Sequence, residues 1–224
     1  MKSTFKKLLT VVSVIISQFP CFAQEQIKDD EVMLGIRTGH NAAFGYFAAV
    51  SIQTAQNFKD FHWQAGIQYN SIGKTALEAR PAYVKKLDWG KISTEALLAY
   101  TDLASVNCFS AGAGVGIDGK WISGKLGYYY RMYGNIQEPF NIYYELRADF
   151  LSMLESWKLE LVITNNEIFE LERHYQPSFI LESCHYMKNS IGLSMGLGCK
   201  PAGMFHLSAD YYQAFLNLGV HYRW

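Results

Sequence analysis

Hydrophobic and polar residues alternate along most of this chain. Phe61, Trp63, Ala65, Ile67 and Tyr69 share one face of a segment whose other face holds His62, Gln64, Gly66, Gln68 and Asn70. Trp157, Leu159, Leu161 and Ile163 alternate with Lys158, Glu160 and Thr164, and Phe140, Ile142, Tyr144, Leu146 and Ala148 with Asn141, Tyr143, Glu145, Arg147 and Asp149. A period of two is the signature of a strand with one apolar and one wet face. No capped, helix-length amphipathic pattern stands beside it.

Read this way, the chain contains fourteen candidate strands, near 32–40, 43–54, 60–70, 75–87, 91–102, 107–117, 120–133, 140–152, 156–164, 167–175, 178–187, 190–199, 203–212 and 214–224. Turn-forming residues fall between them, as in Asp88-Trp89-Gly90, Asp118-Gly119, Gly134-Asn135, Asn165-Asn166, Lys188-Asn189 and Pro201-Ala202-Gly203. The segments at 32–40 and 167–175 fit least well, Arg173 falling on the apolar face of the latter. Without both, the count is twelve. Pro81 also weakens the fourth segment.

Strand length separates two architectures. Strands of soluble sandwiches run to about five or six residues, whereas a tilted strand crossing a bilayer needs about nine to eleven, and the alternation here persists that long. Outward aromatics such as Trp63, Trp121, Trp157, Tyr128, Tyr130 and Tyr144 suit the girdles at two membrane interfaces better than a small lumen. The expected fold is therefore all-β: a closed antiparallel transmembrane barrel of fourteen strands, or twelve, with short turns on both sides. The competing architecture is a soluble barrel with its apolar face inside.

The amino-terminal residues read as an address. Lys2, Lys6 and Lys7 precede the apolar run Leu8–Ile16, and Cys21-Phe22-Ala23 follows, the plan of a secretory signal peptide cleaved between Ala23 and Gln24. The run is too short to span a bilayer. Gln18-Phe19-Pro20 is a poor approach to Cys21 as an acylated residue. Residues 24–224 then form the barrel domain. Removing the leader leaves 17 of the 20 basic side chains against 20 acidic ones, so the balance gives no support to a nucleic-acid partner. Cys108, Cys184 and Cys199 are an odd number and no zinc spacing is present, so neither a complete disulfide framework nor a metal or other cofactor is expected.

The chain ends Leu216-Asn217-Leu218-Gly219-Val220-His221-Tyr222-Arg223-Trp224. Asn217, Gly219, Tyr222 and Trp224 resemble the terminal β-signal of Gram-negative outer-membrane barrels, and the overall style is similar to small barrels of Bacteroidota. The resemblance covers a general class rather than one family. It implies that the barrel-assembly machinery recognises the last strand, which then closes against the first in outer-membrane lipid. A closed ring leaves no unpaired edge in hydrocarbon.

With the apolar face on lipid, the lumen receives Arg37, Glu78, Arg80, Glu95, Lys125 and Arg131, then Glu145, Arg147, Asp149, Lys158, Glu160, Glu170, Glu172 and Glu182, and finally His206, Asp210, His221 and Arg223. Interleaved signs imply a salt-bridged interior, either plugged or lining a weakly selective channel. A sharper expectation places Glu160, Glu170, Glu172 and Glu182 on three successive strands as a cation-attracting patch. Inward glycines at 112, 114, 116, 192, 196 and 198 would relieve crowding on the wall.

Three functions follow: a pore or transport component, a structural or assembly subunit of an envelope complex, and a lipid-modifying hydrolase. The last rests on His206 and Ser208, with Asn217 opposite Ser208 if the last hairpin turns at 212–213, a trio similar in outline to outer-membrane phospholipases. Those side chains would, however, point inward, away from lipid.

Overall fold

The structure is a computed structural model that describes residues 30–41, 45–71, 73–103, 106–133, 136–150, 157–165, 177–187, 190–201 and 213–224. The leader and its cleavage point lie outside them. Twelve strands follow in chain order: β1 (Glu31–Asn41), β2 (Gly45–Phe58), β3 (Phe61–Asn70), β4 (Thr75–Leu87), β5 (Gly90–Leu103), β6 (Val106–Asp118), β7 (Ile122–Tyr133), β8 (Ile136–Asp149), β9 (Trp157–Thr164), β10 (Ser178–Tyr186), β11 (Ile191–Lys200) and β12 (Gln213–Arg223). Each pairs antiparallel with its sequence neighbour, and β12 pairs with β1, from Glu31↔Arg223 to Asn41↔Gln213, which closes the barrel. Closure leaves no strand edge without a partner, as hydrocarbon requires.

The ring corrects the fourteen-strand expectation to the alternative count of twelve, although 32–40, one of the two segments that alternative removed, is strand β1. β9 pairs directly with β10 and β11 directly with β12, so the described strands close the wall by themselves. The expected strands at 167–175 and 203–212 lie outside the described residues, within the connections 165–177 and 201–212. Those connections also correct the expectation of short turns on both sides. They leave from the end of the barrel opposite to both termini, whereas the turn between Phe58 and Phe61 and that between Leu87 and Gly90 return at the termini end after two residues. Local alternation marks a segment that can be a strand, but membership of the ring depends on pairing between distant segments.

Pro81 sits inside β4 and is tolerated there at a local cost. The ladder to β5 runs from Ala79↔Leu98 to Ala82↔Glu95 with no pair at Arg80 or Pro81, because proline lacks the N–H that a rung needs. On its other side Pro81 stays in register with Trp63. One irregularity breaks the β7–β8 ladder, between Tyr129 and Arg131.

The two faces of the wall are inverted relative to a soluble protein. Leu126, Leu181 and Val220 are 57%, 47% and 48% exposed, while Tyr129, Ile180 and His221 on the same strands are buried. Buried polar residues include Glu78, Arg80, Glu95, Arg131 and Glu160. A soluble barrel would place the leucines inside and the charges in water; this ring does the opposite, and an apolar exterior of this extent is stable only against lipid.

Candidate functional site: a polar lumen with two unlike walls

Half of the inner surface, from β4 to β9, is lined by two neighbouring ionic clusters. Arg80 on β4 pairs with Glu78 on its own strand and with Glu95 on β5 at 3.7 Å. Lys125 on β7 reaches Glu95 at 3.2 Å, and the Tyr143 hydroxyl on β8 donates to the same carboxylate at 3.0 Å. Arg147 bonds Glu145 at 2.8 Å and Glu160 on β9 at 3.5 Å, and Lys158 approaches Glu160 at 2.6 Å. Buried charge is tolerated when partners surround it, because the desolvation penalty is then offset by attraction and hydrogen bonding.

Glycine makes this network geometrically possible. Tyr143 must cross β7 and β6 to reach Glu95 on β5, and the strands beneath it carry Gly127 and Gly114. A Cβ at Gly127 would meet the Tyr143 ring at 2.2 Å, and one at Gly114 its hydroxyl at 2.1 Å. Gly114 is among the inward glycines expected to relieve crowding, whereas Gly127 is not; the space they leave is filled by this ring, which is fully buried. Phe215 on β12 lies in the same manner over Gly198 of β11, and Arg37 stacks on its ring at 4.4 Å.

The opposite wall, from β10 through the β12–β1 seam to β2, is built differently. Register aligns Ser194 of β11, Gly219 of β12, Gly35 of β1 and Ser51 of β2 in a single row. A Cβ on Gly219 would fall 2.5 Å from Ser194 Oγ, and one on Gly35 2.7 Å from Ser51 Oγ, so both hydroxyls lean over a shelf of bare backbone. One row away, Arg37 Nε donates to Asn217 Oδ1 at 2.8 Å. On the other side of the row, His221 bonds Ser194 Oγ through Nε2 at 2.7 Å and Glu31 through Nδ1. Arg223 Nε holds the second Glu31 oxygen at 3.2 Å, and its guanidinium lies 3.5 Å from the centre of the Tyr186 ring.

Between the walls is a cavity of about 270 Å³. Of the residues expected to line the lumen, Arg37, Arg80, Lys125, Glu145, Arg147 and Glu182 border this cavity. Glu78, Glu95, Arg131 and Glu160 are buried. Asp149 lies in register with Glu160 near the termini end, where Arg223 also sits. Glu170, Glu172, His206, Ser208 and Asp210 lie outside the described residues.

Two expected constellations are corrected. The acidic patch on three successive strands is not formed as drawn, because β9 and β10 are adjacent and Glu160 stands directly opposite Glu182, with Arg147 and Lys158 on Glu160. The expected rung of Asn217 with Ser208 gives way to Gly196 on β11 and Arg37 on β1 as the rung partners of Asn217. The four residues resembling an assembly signal all belong to the final segment of the chain. Asn217 and Gly219 border the cavity, while Tyr222 and Trp224 are exposed on the apolar face, their rings stacked at 6.0 Å.

The serine–histidine–glutamate chain at the seam was missed from sequence, since its members are separated by up to 190 positions and only the register joins them. Cys108, Cys184 and Cys199 are free thiols. Among the described residues no group of three or more His, Cys, Asp or Glu side chains is placed to hold a metal.

A closed ring, apolar outside and charged within, defines a β-barrel of the outer-membrane kind. No family model matches the chain, and no curated protein matches it in sequence. Solved structures do match its fold. The translocator domain of the autotransporter NalP from Neisseria meningitidis shares 11% identity at a TM-score of 0.60, over 100% of this chain and 96% of that one. A KdgM porin solved in complex with disordered oligogalacturonate shares 11% identity at 0.57, over 85% of this chain and 98% of that one. The NanC porin shares 12% identity at 0.54, over 86% and 98%. The fold is thus that of Gram-negative outer-membrane barrels, porins among them.

Proposed function

We propose that this protein is a passive pore for small hydrophilic solutes. The observation that carries the reading is the polar cavity at the centre of the ring, bordered by Arg37, Arg80, Lys125 and Arg147 against Glu145 and Glu182. Fixed charges of both signs screen one another, so the selectivity is weak, and the excess of guanidinium and ammonium groups at the cavity tilts it toward anions. The likeness in fold to two porins supports the pore reading, and the oligogalacturonate of one of them makes acidic saccharides the first solutes to try.

The test is conductance of the full mature chain in planar bilayers, with the reversal potential taken in a potassium chloride gradient. Discrete current steps with chloride more permeant than potassium are expected. A folded, inserted barrel that passes no current would overturn the pore and favour a structural or assembly role in the envelope.

A further inference from the structure

The Ser194–His221–Glu31 chain has the atom-by-atom connectivity of a nucleophilic triad. With the imidazole proton on Nδ1, His221 donates to Glu31, and its free Nε2 accepts from Ser194 Oγ at 2.7 Å. That arrangement places a base on the hydroxyl and an acid behind the base, the geometry by which serine becomes a nucleophile on many unrelated folds. Glu31 is itself fixed, by Arg223 Nε at 3.2 Å and the Tyr186 hydroxyl at 3.4 Å. His221 is buried, whereas Ser194 borders the cavity, so the base is sheltered and the nucleophile is accessible.

The surroundings of Ser194 are those a planar acyl group needs. Gly219 and Gly35 leave two adjacent positions of the wall without side chains, Gly219 beside the Ser194 hydroxyl, and Met33 borders both, 3.6 Å and 3.9 Å from where their Cβ atoms would fall. Hydrogen-bond donors flank this shelf. Arg37 holds Asn217 by its Oδ1, which leaves the Nδ2 amide beside Gly196, two residues along β11 from Ser194. The Ser51 hydroxyl stands at the far edge of the shelf. Donors aimed at a developing oxyanion are commonly the largest single contribution to such catalysis.

We propose that Ser194, His221 and Glu31 form a hydrolytic site on the lumen wall that cleaves small carboxylic esters carried on solutes in the pore. Ser194 Oγ adds to the ester carbonyl while its proton passes to His221 Nε2. The C–O bond to the alcohol breaks, the alcohol leaves with that proton, and an acyl-serine remains. Water then adds to the acyl carbon, giving its proton to His221, and the carboxylic acid departs as Ser194 recovers its proton. No oxidant, metal or cofactor enters the balance. Asn217 donates to the oxyanion, and Glu31 is a positioning residue that holds the histidine tautomer. Met33 beside the shelf limits the acyl group to a short one such as acetyl. This site shares only Asn217 with the His206, Ser208 and Asn217 trio, in a different role, and opens to the aqueous lumen, not to lipid.

The experiment treats the full mature barrel in detergent with an alkyl fluorophosphonate and, separately, with p-nitrophenyl acetate, folding being verified by heat-modifiable electrophoretic mobility. The phosphonate adduct is expected on Ser194 by peptide mass mapping. Ser194→Ala should lower ester turnover at least about 100-fold. Glu31→Gln should lower kcat about tenfold or more with KM little changed, as loss of tautomer control predicts, and Ser123→Ala should have no effect. If Glu31→Gln does not assemble, the Ser194 variant and the adduct decide the matter alone. A folded barrel with no adduct on Ser194, or with turnover untouched by Ser194→Ala, overturns the proposal and leaves the pore reading intact.

Discussion

The two walls of this lumen place polar groups inside a barrel by opposite means. On β4–β9 the charges are long, numerous and closed on one another, with Glu95 alone shared by Arg80, Lys125 and Tyr143. On the wall that runs from β10 across the seam to β2, two glycines lie between short hydroxyls, and the ionic groups lie to either side of the Ser194–Gly219–Gly35–Ser51 row, Arg37 on one side and Glu31 and Arg223 on the other. Glycine has a different use on each side. At Gly114 and Gly127 it admits the Tyr143 ring, so the wall becomes thicker; at Gly35 and Gly219 the nearest side-chain atoms are the Ser51 and Ser194 hydroxyls, with His221 and Met33 behind them. One wall therefore carries the strength of the interior, and the other its accessible chemistry.

Removing a shared partner should distinguish the walls most sharply. Glu95→Ala removes a partner that Arg80 and Tyr143 share in a buried network, and loss of one member of a buried ionic group costs about 3–5 kcal/mol. Urea unfolding in lipid vesicles should show this as a large fall in midpoint, whereas Ser51→Ala on the opposite wall should change it little.

The comparison assumes that both walls share one lipid-facing side. Leu161→Arg on β9 puts a guanidinium on that side, at a cost of about 2–4 kcal/mol near the bilayer centre, and assembly into vesicles should fail or slow. Equal loss for Lys158→Ala on the inner face of the same strand would show that the sides are reversed.

Gly127→Ala tests the thick wall by sterics alone. Its Cβ would meet the Tyr143 ring at 2.2 Å, so the ring must move and release Glu95, an overpacking expected to cost about 1–3 kcal/mol. Gly124→Ala on the same strand meets nothing nearer than 3.7 Å and should be almost silent, as the same unfolding assay would report. A smaller effect than that of Gly127→Ala is expected at the seam. Tyr186→Phe removes a hydroxyl shared by Arg223 and Glu31, a loss of about 0.5–1.5 kcal/mol.

Most of the wall was legible in the sequence because a lipid-facing barrel writes its alternation onto every strand. The segment read at 60–70 is β3 at Phe61–Asn70, and that read at 156–164 is β9 at Trp157–Thr164. Ring membership was not legible at 167–175 and 203–212, because alternation is a local property and pairing is not. That error spread to the site. Inserting a strand before β12 paired Asn217 with Ser208 and hid the true rungs, Ser194↔Gly219 and Gly192↔His221, which bring Ser194 and His221 together. The ionic residues were identifiable singly by their position on the wet face, but their partners were not, since Tyr143 reaches Glu95 across two intervening strands.

The central claim is that the apolar side of every strand touches acyl chains and the polar side touches water. Nitroxide labels placed one at a time at Leu193, Ser194, Met195, Gly196 and Leu197, in a background lacking Cys108, Cys184 and Cys199, read it directly by collision with oxygen and with a water-soluble nickel complex. The account predicts strict alternation, oxygen-dominated at Leu193, Met195 and Leu197 and nickel-dominated at Ser194 and Gly196. Nickel access at the leucines with dry positions between them would contradict it.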